Sequence, residues 1–183
     1  MPFAQENTRK YYADNRELAE DIAAGYKKFI ADVYAAGCRD LQFDDCSWGM
    51  LVDPLACTLF DTDEKGLKAI KEQLLELNNL AIADKPDDLV INTHVCRGNF
   101  HSTYASSGAY DGVAQTLLAR ENVGAYYLEF DDARSGGFAP LAAVSGDKKV
   151  VLGLVTTKRA QLEDKDAVIA RIHEAEKYLP LDR

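Results

Sequence analysis

The chain has 183 residues, 47% of them hydrophobic, with 30 Asp and Glu against 21 Lys and Arg for a formal net charge of −9. One domain of that length buries a sizeable core, so wholesale disorder is excluded, and the acidic balance excludes general binding to a phosphate backbone. No apolar run approaches the ~20 residues of a membrane span, and the opening MPFAQENTRKYY lacks the apolar stretch of a secretory leader. The expectation is therefore a cytoplasmic protein with neither nucleic acid nor membrane as a partner.

From Arg16 to Ala35 the apolar positions Leu18, Ile22, Tyr26, Phe29, Ile30 and Val33 recur at helical spacing, and Gly37 ends the run. Leu41-Gln42-Phe43 then reads as a strand whose C-terminal end carries Asp44 and Asp45. Lys65–Leu80 is a second amphipathic helix, followed by the strand Leu89–Cys96. Asp111–Arg120 is a short helix candidate before the strand 125–130. Lys149–Val155 is a fourth strand, and Asp166–Tyr178 a last helix. Strands of nearly continuous apolar character suit a parallel sheet covered on its faces by helices. Residues 1–183 thus read as a single α/β domain of about four strand–helix units. Periodicity alone leaves open whether they form half of an eight-unit (β/α)8 TIM barrel or a small open sheet. Polar residues at the C-terminal ends of successive strands, Asp44, His94/Cys96 and Glu129, favour the barrel.

His94-Val95-Cys96 is the sharpest chemical signal. Residues i and i+2 of a strand share a face, so an imidazole and a thiol enter one space, a natural pair for zinc, to which Glu129 of the next strand can add an oxygen. The segment alone is short, and a buried cysteine beside a hydrogen-bonded histidine is its ordinary reading. Cys38, Cys46 and Cys57 read as small core residues or plain thiols in a reducing compartment. Asp44-Asp45 can simply cap a turn, Arg134 can merely pair with Glu129 or Asp131, and Lys158 reads more readily as a solvated loop residue than as a catalytic acid. His101 and His173 read as surface residues. The loop NFHSTYASSGAYDGVA suits a lid, Trp48 and Tyr104 can stack on a planar ring or simply pack, and the glycines of Ser135–Gly137 offer weak evidence of an anion cradle.

In order along the chain, LQFDDCSW, NTHVCRGNF and YYLEFDDARSGGF resemble three successive strand ends of the cobalamin-independent methionine synthase family, most closely its shorter, single-barrel branch. The resemblance implies a zinc-dependent methyl transfer from a methyltetrahydrofolate (a polyglutamate) to homocysteine, forming methionine. It also implies that His94, Cys96 and Glu129 ligate zinc, that Asp44 holds the homocysteine amino group, and that Glu129, Arg134 and Ser135 contact substrate. Two departures follow from it. The chain is expected to be the C-terminal half of a longer barrel, ending before the family's fourth zinc ligand, a cysteine. Lys158 stands where the larger enzymes carry an acid–base histidine, which leaves the proton donor and the methyl donor open. Transfer to a different thiol is the enzymatic alternative. The other is a non-catalytic fragment that binds zinc or a partner half, with self-association through open barrel edges.

Overall fold

Asp14 begins the first long helix. Its carboxylate accepts hydrogen bonds from the N–H groups of Arg16 and Glu17, donors that a helix start leaves unpaired. The computed structural model describes residues 6–183, so the first residues of the MPFAQENTRKYY segment lie outside the described residues. The main elements run α1 (Asn15–Ala35), β1 (Asp40–Asp44), α2 (Ser47–Met50), α3 (Ala56–Leu59), α4 (Glu64–Ile82), β2 (Val90–Val95), β3 (Ala125–Glu129), β4 (Lys149–Gly153) and α5 (Lys165–Glu176). Asp63 and Asp164 cap α4 and α5 in the manner of Asp14. No helix among the described residues is long and apolar enough to cross a membrane.

Two local expectations change. The helix expected over 111–120 is a 3-10 turn, Tyr110–Val113, running into a single π turn, Ala114–Leu118. Beneath it the buried Tyr126 hydroxyl donates to the Leu117 carbonyl at 2.7 Å, a tertiary bond that periodicity does not encode. The short helices α2 and α3, absent from the sequence reading, fill the connection between β1 and α4.

The four strands are parallel and lie in the order β1-β2-β3-β4. Each strand beside its sequence neighbour is the arrangement of a (β/α)8 barrel; in a doubly wound sheet the order reverses. The fold is an arc of four strand–helix units of such a barrel. Register pairs Leu41 with Ile91, Phe43 with Thr93, and Thr93 with Tyr126. These side chains share the helix-facing side, where Tyr26 of α1 meets Phe43 edge-on at 5.4 Å. Ile91, Val95, Tyr126 and Leu128 are buried there with Leu74, Leu75, Ile82, Leu117 and Leu118 in one core.

The opposite, concave face is only partly covered: Asp40, Val90, Lys149 and Val151 are exposed on it. This corrects the expectation of a sheet covered on both faces. The strands alternate because helices pack on one side only, and the other is the side a barrel turns inward.

Candidate metal centre

The register pairs Asp44 with His94, and the Asp45 N–H donates to the His94 carbonyl at 2.9 Å. One step further along both strands, Cys46 comes beside Cys96, their sulfurs 3.2 Å apart. Asp-x-Cys leaving β1 therefore lies against His-x-Cys leaving β2. One donor atom each from Cys46, His94 and Cys96 falls within 4.8 Å of the others. Sequence reasoning placed Cys46 among the ordinary thiols. Its repeat of the aspartate–cysteine spacing opposite His94-x-Cys96 was the available signal, but it needed the strand register to be read.

Charge is organised around Cys96. Hydrogen bonds from the Cys46 thiol and from His94, with the Gly98 N–H at 3.4 Å, bring its thiol down to about 4. The same contact and burial push Cys46 up. The Cys96 sulfur and then Asp44 hold His94 above the usual imidazole value, against burial. Asp44, with a side chain 71% exposed, places Oδ1 3.0 Å from His94 Nδ1. Gln42 donates to the same oxygen at 3.0 Å. The cluster thus sets an easily ionised thiol beside an imidazole, a second thiol and an outer carboxylate, at the C-terminal edge of the sheet.

Glu129 ends β3 and lies outside that group of three. Its Oε2 accepts the Arg97 N–H at 2.6 Å, and its Oε1 is paired with Arg134 and, at 3.1 Å, with Lys158. Asp131 takes the same two cations, at 3.0 Å and 3.1 Å. Lys158 is not the solvated loop residue expected: its side chain is 13% exposed, because two buried carboxylates need cationic partners. Arg134 is clamped among Glu129, Asp131 and Asp132, with its guanidinium 4.6 Å from the Tyr104 ring centroid. Ser135 is fully buried, its hydroxyl without a partner among the described residues.

The remaining sequence candidates separate. Trp48 is fully buried and packs. His173 is exposed and pairs with Glu176, and His101 is exposed at positive φ beside Phe100. The 97–109 loop is pinned through most of its length. Ala105 N–H donates to Arg97, Ser107 N–H to Asp53, and Gly108 N–H to the Arg134 carbonyl. Only the tip around Phe100 and Tyr104 stays open. The N–H groups of Ser135 and Gly136 are used within their own turn and are not free to hold an anion.

Behind the sheet lies a second polar group that the sequence did not suggest. Asn78 of α4 donates to Asp45 at 2.7 Å and to Glu121 at 2.8 Å, beside a cavity of ≈ 370 Å³ between α1, α4 and the sheet. Glu121 is buried, and desolvation raises it to about 7. This bridge braces the turn that carries Asp44 and Cys46 from the helix side.

No protein-family model matches the chain. Two uncharacterised proteins of Bacillus subtilis (strain 168) are similar to it: YxjH, 43% identical over 99% of the chain, and YxjG, 42% identical over 95%. The chain spans about half the length of these curated relatives, 48% and 46% respectively. Among solved structures it is similar to a Listeria monocytogenes protein provisionally named a vitamin-B12-independent methionine synthase. That likeness has a TM-score of 0.73 and 35% identity, and covers 94% of this chain and 48% of that one.

Proposed function

We propose that this chain belongs to the vitamin-B12-independent methionine synthase kind. In this reading it carries part of a zinc-dependent site that moves a methyl group from a methyltetrahydrofolate to the thiol of homocysteine. The carrying observation is the His94–Cys96 pair at the end of β2, an imidazole and an easily ionised thiol facing a concave parallel sheet. The likeness to the Listeria protein supports the reading. The half-length match to the relatives supports residues 1–183 being part of one barrel domain in a longer protein.

Imidazole and thiolate are donors that suit zinc, and His94 and Cys96 would hold it. When bound, zinc supplies the Lewis acidity that keeps an incoming thiol deprotonated near neutral pH. The chain's own residues do the rest. Asp44 on Nδ1 fixes the His94 ring and leaves Nε2 to ligate, the carboxylate–histidine support common behind metals. Its exposed second oxygen can take the amino group of an amino-acid substrate. Arg134 and the unpartnered Ser135 hydroxyl are the candidate contacts for the rest of the substrates. Lys158 is the candidate proton donor to the folate nitrogen that the methyl group leaves, since an unprotonated nitrogen departs poorly. It would have to loosen its hold on Glu129 and Asp131 to act. Glu129, the family's carboxylate ligand, is likewise engaged with Arg97, Arg134 and Lys158.

The test is zinc content and product. The chain should retain about one zinc per molecule, and a full-length protein carrying it should form methionine from homocysteine and methyltetrahydrofolate, with both lost in His94→Ala and Cys96→Ala. Methylation of another thiol from an acceptor panel, with no methionine formed, would move the reading to that acceptor. Zinc without methyl transfer to any thiol would leave a binding fragment, and a chain that takes up no zinc would overturn the proposal.

A further inference from the structure

We propose that Cys46 is a protein ligand of the bound metal, making a Cys46–His94–Cys96 donor set in which Glu129 takes no part. The inference rests on the metal-site reading above and adds a donor that the resemblance does not supply. Three observations carry it. The sulfurs of Cys46 and Cys96 stand 3.2 Å apart, whereas two sulfurs on a tetrahedral zinc with bonds of about 2.3 Å stand about 3.8 Å apart. A separation of roughly half an ångström is all the pair requires.

The backbone is also built to bring Cys46 there. Gly49, one turn after it, packs so tightly on β2 that an added Cβ would lie 2.2 Å from the Cys96 carbonyl oxygen. Asp45 N–H on the His94 carbonyl sets the level of the turn, and Asn78 braces it from behind.

Glu129, by contrast, is already neutralised. Arg134, Lys158 and the Arg97 N–H take both its oxygens, and recruiting it would break buried ion pairs and leave their cations without a partner.

Cobalt(II) substitution of the 183-residue chain reads the donor set directly, because sulfur-to-cobalt charge-transfer absorption scales with the number of thiolates. Two thiolates are expected in the wild type, with the band falling by about half in Cys46→Ser at saturating cobalt. Glu129→Gln should leave the band unchanged. Zinc affinity, by competition with a chromogenic chelator, should fall at least tenfold in Cys46→Ser. A measurement without substitution guards against a misfolded variant. Zinc should protect both Cys46 and Cys96 of the wild type from alkylation while Cys38 and Cys57 react as before.

If Cys46 alkylates equally fast with and without zinc, or Cys46→Ser binds cobalt with an undiminished band, the inference fails while the metal site stands. If the wild type binds neither metal, the functional reading falls and this inference with it.

Discussion

Glu121 is an acid held where water does not reach it, and its energetic effect depends on pH. Folded, it keeps its proton up to about pH 7, chiefly because burial disfavours the charge. Unfolded, it releases the proton near the ordinary glutamate value of 4.5. Between those values the native state binds more protons than the unfolded state, so stability declines as pH rises through the window. Above it Glu121 costs on the order of 3 kcal/mol. Glu121→Gln keeps an oxygen for Asn78 and cannot ionise. Thermal melts should show the variant more stable than wild type at pH 8 and nearly equal to it at pH 4.5. Lys158 gives a test of the opposite kind. Lys158→Met leaves Glu129 and Asp131 sharing Arg134 alone, and should cost about 2 kcal/mol, read as a lower urea midpoint at an unchanged slope. Neither effect was legible in the sequence. Glu121 reads as the polar end of a helix and Lys158 as part of a loop, because burial at these positions comes from elements 27 to 43 residues away.

At the level of elements, the turn between β1 and α2 decides whether Asp44 and Cys46 arrive opposite His94 and Cys96. Gly49 is its tightest point. Gly49→Ala would force apart the first turn of α2 and the end of β2, where the nearest atom is backbone and has little freedom to move. A loss of about 1–3 kcal/mol is expected, the range for overpacking. Zinc affinity should fall as well, since the displaced atoms carry Cys96; denaturation and chelator competition on one sample measure both. Glycine at this position says nothing in sequence, since the constraint comes from a strand more than forty residues away. The long elements were legible for the converse reason. α1, α4 and the strands announce themselves by local apolar spacing and aspartate caps, and their bounds shift by a residue or two. The π turn escaped because a tertiary bond shapes it, and α2 and α3 because helices of four residues are too short to show a period.

For the whole molecule, the consequence of a four-strand arc is an unpaired edge. β4 is partly covered, its Val150 N–H donating to the Arg183 carbonyl at 2.7 Å. β1 has no strand on its outer side among the described residues. Arg39 and Asp45 direct their backbone groups to β2, and in a parallel ladder residues two apart do the same. Asp40, Gln42 and Asp44 therefore turn theirs to the open edge. Such a row of free N–H and C=O groups invites a second chain to pair, beside an exposed Val90 on the concave face. The chain is accordingly expected to self-associate as concentration rises, with the sedimentation coefficient increasing over the micromolar range. Gln42→Pro removes an outward N–H without touching the β1–β2 ladder, a kind of strand position where proline is tolerated. It should hold the chain monomeric at concentrations where wild type associates, with little change in melting temperature. Association undiminished in Gln42→Pro would place the contact elsewhere on the molecule, away from the β1 edge.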